Sequence, residues 1–334
     1  MSSLFSYTTA SMEPRFSPRD STPCSTKNEV IVGGLKVYVY GLAEVKQQGH
    51  TELAILYLAH GRNGTYLDVE DVAHEILHQY RINGRNKRAG LIAVAFNMRN
   101  HGDRIINPKA NLTWTDGNDM HAQDMLSSMA GCAHDLELLI DYLPLYLPSY
   151  FENFYNVVSG ISLGAHISWR MATSSAAERG KIQGLAIVAG CPNLTALFLS
   201  RLGVNTAELA IPLDELCGLQ YDQLSACLTE EQRQRWPRAV SEILGELDRA
   251  TYETFPCNNP TLVLHGMLDQ LVPNIITETW ITKKRAEVDA RIEYFVYYNA
   301  GHTCTAGMVD RIAEWLTTLF WMQHRELPSS QRLS

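Results

Sequence analysis

The run "NVVSGISLGAHISW" (residues 156–169) holds a serine between two glycines, as Gly160-Ile161-Ser162-Leu163-Gly164. This G-x-S-x-G spacing fits a nucleophile elbow, a sharp strand-to-helix turn that lifts a serine hydroxyl above the end of a sheet. The chemistry would be covalent: a hydroxyl attacks a carbonyl and carries the acyl group until water removes it. The flanks suit the turn. "FYNVV" (154–158) is β-branched and aromatic and reads as a buried strand, and "AHISWRMATSSAAE" (165–178) reads as a helix stopped by Gly180. The pattern alone arises by chance in about one chain in ten of this length. The assignment therefore turns on the partners such a serine needs.

A serine hydroxyl is a weak nucleophile until a base takes its proton, and the base needs a third group to orient it. "TLVLHGMLDQLVP" puts Asp269 just beyond a strand expected at 261–266, and "YYNAGHTCT" puts His302 in the loop after the last strand. The order Ser162, Asp269, His302 is that of a triad built on an elbow of this kind. The preceding strand offers Asn193 and no carboxylate, which leaves Asp269 as the acid. An oxyanion forming on the substrate needs donors. The Leu163 N–H is one, and the loop "HGRNG" supplies another from Arg62, with Gly61 in reserve. The Arg62 side chain is long enough to reach a bound substrate as well.

Other residues fall at strand ends without a fixed role. His60, His101 and Arg104 border the expected site or pin its loops. Cys191 and Cys304 line a pocket or fill space as small apolar residues. His166, four residues after Ser162, reads as a packing residue rather than a base. His121 and Trp114 are left undecided.

The elements that must position these residues alternate. A hairpin is expected at 29–42, strands at 52–61, 89–102, 183–192, 261–266 and 291–302, and helices at 68–84, 119–144 and 305–326. Such alternation predicts an α/β fold, a mostly parallel sheet with helices on both faces, with ligands bound beyond the carboxyl ends of its strands. Residues 193–258 interrupt the pattern with helical segments only, expected as a lid inserted in a domain spanning 29–334. Residues 1–28, rich in Ser, Thr and Pro, are expected as a flexible arm.

Composition narrows the function. The chain of 334 residues has 36 acidic against 28 basic residues, a net charge of −8, and no basic stripe, which argues against nucleic acid as a partner. No apolar run is long enough for a membrane span. The N-terminus lacks the layout of a secretory signal and "QRLS" is no peroxisomal address. Seven cysteines without a C-x-x-C pair read as reduced thiols of a cytoplasmic protein. The histidines lack the spacing of zinc ligands, so neither metal nor cofactor is expected. The sequence leaves the oligomeric state open, a homodimer included.

The elbow, "HGRNG", "HGMLDQLVP" and "NAGH" together resemble the α/β-hydrolase superfamily from about residue 29 onward. More narrowly, "MRNHGDRIINPKANLTWTDGNDMHAQDM", "LIDYLP" and "GISLGAHISW" resemble a group of fungal α/β-hydrolases, often of unassigned substrate. The resemblance implies the α/β-hydrolase fold. The expected function is a serine hydrolase acting on an ester, thioester or lactone of a small acyl substrate. The Leu, Tyr and Phe of the insert favour an apolar or aromatic one. The same triad also serves acyl transfer, cyclisation or C–C cleavage in metabolite biosynthesis, and a binding protein without turnover is a further alternative.

Overall fold

The computed structural model describes residues 12–206, 209, 211–287 and 289–322. Residues 1–11 of the expected arm, positions 207, 208 and 210 of the insert, the end of the last helix expected to reach 326, and the "QRLS" terminus lie outside the described residues.

The chain opens with the hairpin β1 (Lys27–Val32) and β2 (Leu35–Tyr40), followed by α1 (Leu42–Gln48), β3 (Glu52–Ala59), α2 (Leu67–Ile82), β4 (Gly90–Phe96) and α3 (His121–Tyr142). Then come β5 (Asn153–Ile161), α4 (Leu163–Met171), α5 (Ser175–Glu178) and β6 (Ile182–Val188). Four helices follow without a strand: α6 (Leu194–Arg201), α7 (Tyr221–Ala226), α8 (Glu230–Arg235) and α9 (Arg238–Glu253). The chain re-enters the sheet with β7 (Thr261–Gly266), α10 (Asn274–Lys284), β8 (Ile292–Tyr297) and α11 (Ala306–Leu319).

The sheet has the order β1-β2-β4-β3-β5-β6-β7-β8. β2 runs antiparallel to β1 and to β4, and all other pairs are parallel. Its central strands are apolar on both faces because helices cover both. In β3, Leu53, Ile55 and Tyr57 face the layer of α3, α4 and the inserted helices, while Ala54, Leu56 and Leu58 face α2 and α11. Parallel strands joined by helices all end on the same side. Ser162, Asp269 and His302 follow β5, β7 and β8 there.

Three differences from the expected elements have physical causes. The helical reading of 230–255 breaks into α8 and α9 at Trp236-Pro237, because proline has no N–H for the ladder and excludes helix before it. α1 and α10 were not expected. α1 has seven residues with only Val45 buried, and α10 ("NIITETWITKK") mixes β-branched residues into a weak apolar stripe. Residues 12–26, expected as part of a free arm, lie against the domain. Phe16 is buried and its N–H donates to Cys304 O at 2.7 Å. Arg19 pairs with Glu75 and Asp310 at 2.5 and 2.6 Å, and Arg15 with Asp68 at 2.7 Å.

The first inserted helix is fastened from α9. The buried Asp248 carboxylate accepts the Leu194 and Thr195 N–H groups, each at 2.8 Å, and Asn193 caps the same helix by accepting from Ala196 N–H. Burial pushes the Asp248 carboxyl up to about 6, against those donors. Replacing it leaves two buried N–H groups unpaired. Asp248→Ala is therefore expected to cost about 2–3 kcal/mol, read as a lower urea midpoint. An unchanged midpoint would show that α6 holds its place without the carboxylate.

Candidate active site

Ser162 stands at the turn between β5 and α4 with φ 57° and ψ −114°, a positive-φ conformation that costs a non-glycine residue of order 1–3 kcal/mol. The surroundings enforce it. A Cβ on Gly160 would meet the Gly164 carbonyl at 2.1 Å, and one on Gly164 would meet Ala59 O at 2.2 Å. Only glycine at both positions lets the helix start this close to the neighbouring strands. The Gly164 N–H then donates to His60 O at 3.1 Å, which joins the elbow to the loop after β3.

Around the serine a hydrogen-bond chain is complete. The Ser162 hydroxyl lies 2.7 Å from His302 Nε2, and His302 Nδ1 lies 2.8 Å from Asp269 Oδ2. The other Asp269 oxygen accepts the Leu271 and Val272 N–H groups at 2.9 Å each, so the carboxylate is fixed from both sides. Its side chain is 0% exposed while that of His302 is 19% exposed. The imidazole therefore bridges a buried anion and an accessible hydroxyl. With Nδ1–H directed at the carboxylate, Nε2 is free to take the serine proton.

Two donors stand ready beside it. Among the described residues neither the Leu163 N–H nor the Arg62 N–H is given to another protein group. The loop lies against Ser162: a Cβ built on Gly61 would sit 3.6 Å from Ser162 Cβ.

Cavities open on both sides of Ser162 and His302. One, of 240 Å³, is walled by Val69 and Val72 of α2 and by Arg15 and Phe16 of the N-terminal segment. The other, of 400 Å³, lies under α6 and the 97–120 connection, with Trp114, His121, Met125, His166, Arg201 and Leu271 on its walls. Trp114, left undecided from the sequence, packs edge-on against His121 and Phe198.

The four residues expected to bind substrate support the site from behind instead, and none lines either cavity. His60 is fully buried, accepts the Met98 N–H at Nε2 and contacts Gly61 O through Nδ1. His101 packs edge-on against His60 and contacts Arg99 O. Arg104 pairs with Asp135 at 2.8 Å and donates to Asn97 O. Cys191 is buried beside His166. Loops at strand ends need such internal fixing, and these polar side chains supply it. The sequence reading missed Arg15, Phe16, Met125, Arg201 and Leu271. Arg201 alone left a trace, as the one charge closing the apolar run "LTALFLSR".

The chain has the α/β-hydrolase fold. A protein from Thermus thermophilus superposes with a TM-score of 0.59 at 18% identity, covering 90% of this chain and 99% of that one. The acylaminoacyl peptidase of Pyrococcus horikoshii gives 0.56 at 11% over 90% of this chain and 42% of the peptidase. An esterase of Pyrobaculum calidifontis gives 0.50 at 15% over 93% and 88%. At such identities the likeness is one of fold. No protein-family model and no curated protein matches the sequence. The comparisons add nothing to the narrower resemblance to fungal sequences. Among the described residues no helix is long and apolar enough to cross a membrane, and no cluster of three or more His, Cys, Asp or Glu forms a metal site.

The contact of Gly164 with Ala59 can be tested directly. Gly164→Ala forces a methyl group into backbone and is expected to cost about 1–3 kcal/mol, with a matching fall in denaturant midpoint. A variant as stable as the parent would mean that the crossing has room to spare.

Proposed function

We propose that this protein is a serine hydrolase that cleaves an ester, thioester or lactone of a small acyl compound, with Ser162 as nucleophile, His302 as base and Asp269 as its orienting acid. The observation that carries the reading is the unbroken chain Ser162 Oγ, His302 Nε2, His302 Nδ1, Asp269 Oδ2, with links of 2.7 and 2.8 Å. The shared fold with proteins named an esterase and an acylaminoacyl peptidase supports it.

Ser162 Oγ attacks the carbonyl carbon as its proton passes to His302 Nε2. The carbonyl oxygen becomes an oxyanion held by the Leu163 and Arg62 N–H groups, which are fixed before the charge develops and so cost little reorganisation. Collapse breaks the bond to the leaving oxygen or sulfur, which takes the proton from His302. Water then enters, gives a proton to His302 and attacks the acyl-enzyme. The acid departs and Ser162 regains its hydrogen. The inserted helices α6–α9 act as the lid: α6 brings its last residue, Arg201, to the larger cavity and so helps choose the acyl compound. The seven free thiols suit a reducing compartment such as the cytoplasm.

Ser162→Ala is expected to abolish turnover and labelling by a fluorophosphonate, leaving only the small residual catalysis of binding and oxyanion donors. A variant retaining near-full activity would remove Ser162 from the role of nucleophile.

The base must be neutral to work, so kcat/KM is expected to rise with pH as the base loses its proton. Other imidazoles near the site are excluded from this limb. Burial pushes His60 and His121 down to about 4 and His166 to about 3, so all three are already neutral at neutral pH. His302→Ala should remove both the rate and the rising limb, and His121→Gln should leave its midpoint in place. A midpoint that moved in His121→Gln would transfer the titration to that residue.

A further inference from the structure

The 400 Å³ cavity has a charge that its catalytic role does not call for. The guanidinium groups of Arg62 and Arg201 line it, and no aspartate or glutamate does among the described residues. Neither arginine has an ion-pair partner there. Arg62 gives one N–H to Asn111 O at 2.7 Å. Among the described residues Arg201 reaches Met125 Sδ at 3.5 Å and Leu271 O at 3.4 Å, both long, and lies 5.9 Å from the centre of the Phe198 ring. Two carboxylates lie near and neither answers them. Asp116 is turned to the Thr113 N–H and hydroxyl, and Asp269 is engaged by His302 and two backbone N–H groups. Burial and the neighbouring Arg62 lower Arg201 to about 10, so it stays charged at neutral pH. Arg99 and Arg104 share Asp135 and Arg19 pairs with Glu75, whereas Arg81, like Arg62 and Arg201, has no ion pair among the described residues and gives an N–H to the Ser25 hydroxyl away from the cleft. In a protein of net charge −8, two unpaired cations facing one cavity call for an anion from outside.

The walls also hold unpartnered polar atoms, which show that the cavity is not purely apolar but do not choose the sign of a ligand's charge, since the neutral His121, with Nδ1 at Leu112 O, presents Nε2 as an acceptor. His121 and His166 line the cavity, and their buried Nε2 atoms have no protein partner. A cavity built for a purely hydrocarbon acyl group would leave these polar atoms unsatisfied permanently. Trp114, Met125, Leu163 and Leu271 supply the apolar part of the wall, and Asn63, Thr113 and Thr115 add polar groups to it.

We propose that the substrate of this site is amphipathic and carries a carboxylate, held by Arg201 and Arg62 in the cavity beside Ser162. The inference rests on the serine-hydrolase reading and narrows its substrate class. Guanidinium groups match a carboxylate in geometry, and a charge-assisted pair made away from bulk water is stronger than a neutral hydrogen bond. The apolar walls take the carbon skeleton between the carboxylate and the reacting carbonyl.

The test uses two matched pairs of esters. Mono-4-nitrophenyl glutarate against 4-nitrophenyl pentanoate places the charge on the acyl side. The acetate ester of 3-hydroxybenzoate against that of methyl 3-hydroxybenzoate places it on the alcohol side. After correction for spontaneous hydrolysis, kcat/KM should favour the charged member of one pair by about tenfold or more, and the favoured pair tells which half of the substrate enters the cavity. Arg201→Met should reduce that preference about tenfold and Arg201→Lys should retain part of it, with circular dichroism confirming that both fold. Preference for the neutral member in both pairs, with Ser162 still labelled by a fluorophosphonate, would overturn the anion site and leave the hydrolase standing. Absence of labelling and turnover would instead overturn the hydrolase reading. The cavity is then judged by glutarate alone: a thermal shift in the parent that Arg201→Met abolishes supports the anion site, and no shift in the parent refutes it.

Discussion

The hydrogen bond from the Gly164 N–H to the His60 carbonyl, 3.1 Å long, is where three parts of the site are set against one another. It forms only because Gly164 has no Cβ to strike Ala59, and it fixes the first turn of α4 against the end of β3. His60 carries the connection onward. Its buried ring accepts the Met98 N–H at the end of β4 and contacts the Gly61 carbonyl, the residue before one of the two free N–H groups. Ser162 and the Leu163 N–H at the end of β5 and the Arg62 N–H beyond β3 are thereby held in mutual register by backbone. Rigid placement of this kind is what a group acting on a transient charge requires. The strained φ of Ser162 is tolerated because packed elements on both sides over-determine it.

The remaining walls are made differently. α2 and the N-terminal segment close one side of Ser162, while α6 and the 97–120 connection close the other. These elements lie outside the sheet and touch the reacting groups only across cavities. Under the proposed function, that division puts the reacting groups at strand ends and the contacts with the rest of the substrate on helices and loops.

Much of the fold and of the central constellation was legible in the sequence. A glycine on each side of a serine, an aspartate after "TLVLHG" and a histidine after the last strand are requirements of backbone geometry and of proton transfer, and both leave fixed spacings. Pro237 marked its own break between α8 and α9. What was illegible depends on tertiary position. His60, His101, Arg104 and Cys191 sit at strand ends, as binding residues do, but point inward to hold loops. Nothing in their spacing distinguishes those two directions. Arg201 lies nearly forty residues beyond Ser162, and only the fold of the insert brings it above the serine. Phe16 was hidden by its setting, since a Ser- and Pro-rich segment reads as unpacked until a groove is there to receive its one aromatic ring.

The wall supplied by that segment is held chiefly by charge. Arg15 and Arg19 reach Asp68, Glu75 and Asp310, and the two arginines are 60% and 41% exposed along their side chains. The pairs of Arg15 with Asp68 and of Arg19 with Asp310, open to solvent on both sides, are weakened by dissolved ions, whose screening length shortens to about 3 Å at 1 M salt, while the buried Glu75 keeps its hold on Arg19. The buried pair of Asp269 and His302, and the hydrogen bonds of the elbow, lie out of reach of that screening. Ionic strength thus becomes a way to loosen one side of the cleft while the reacting groups keep their places.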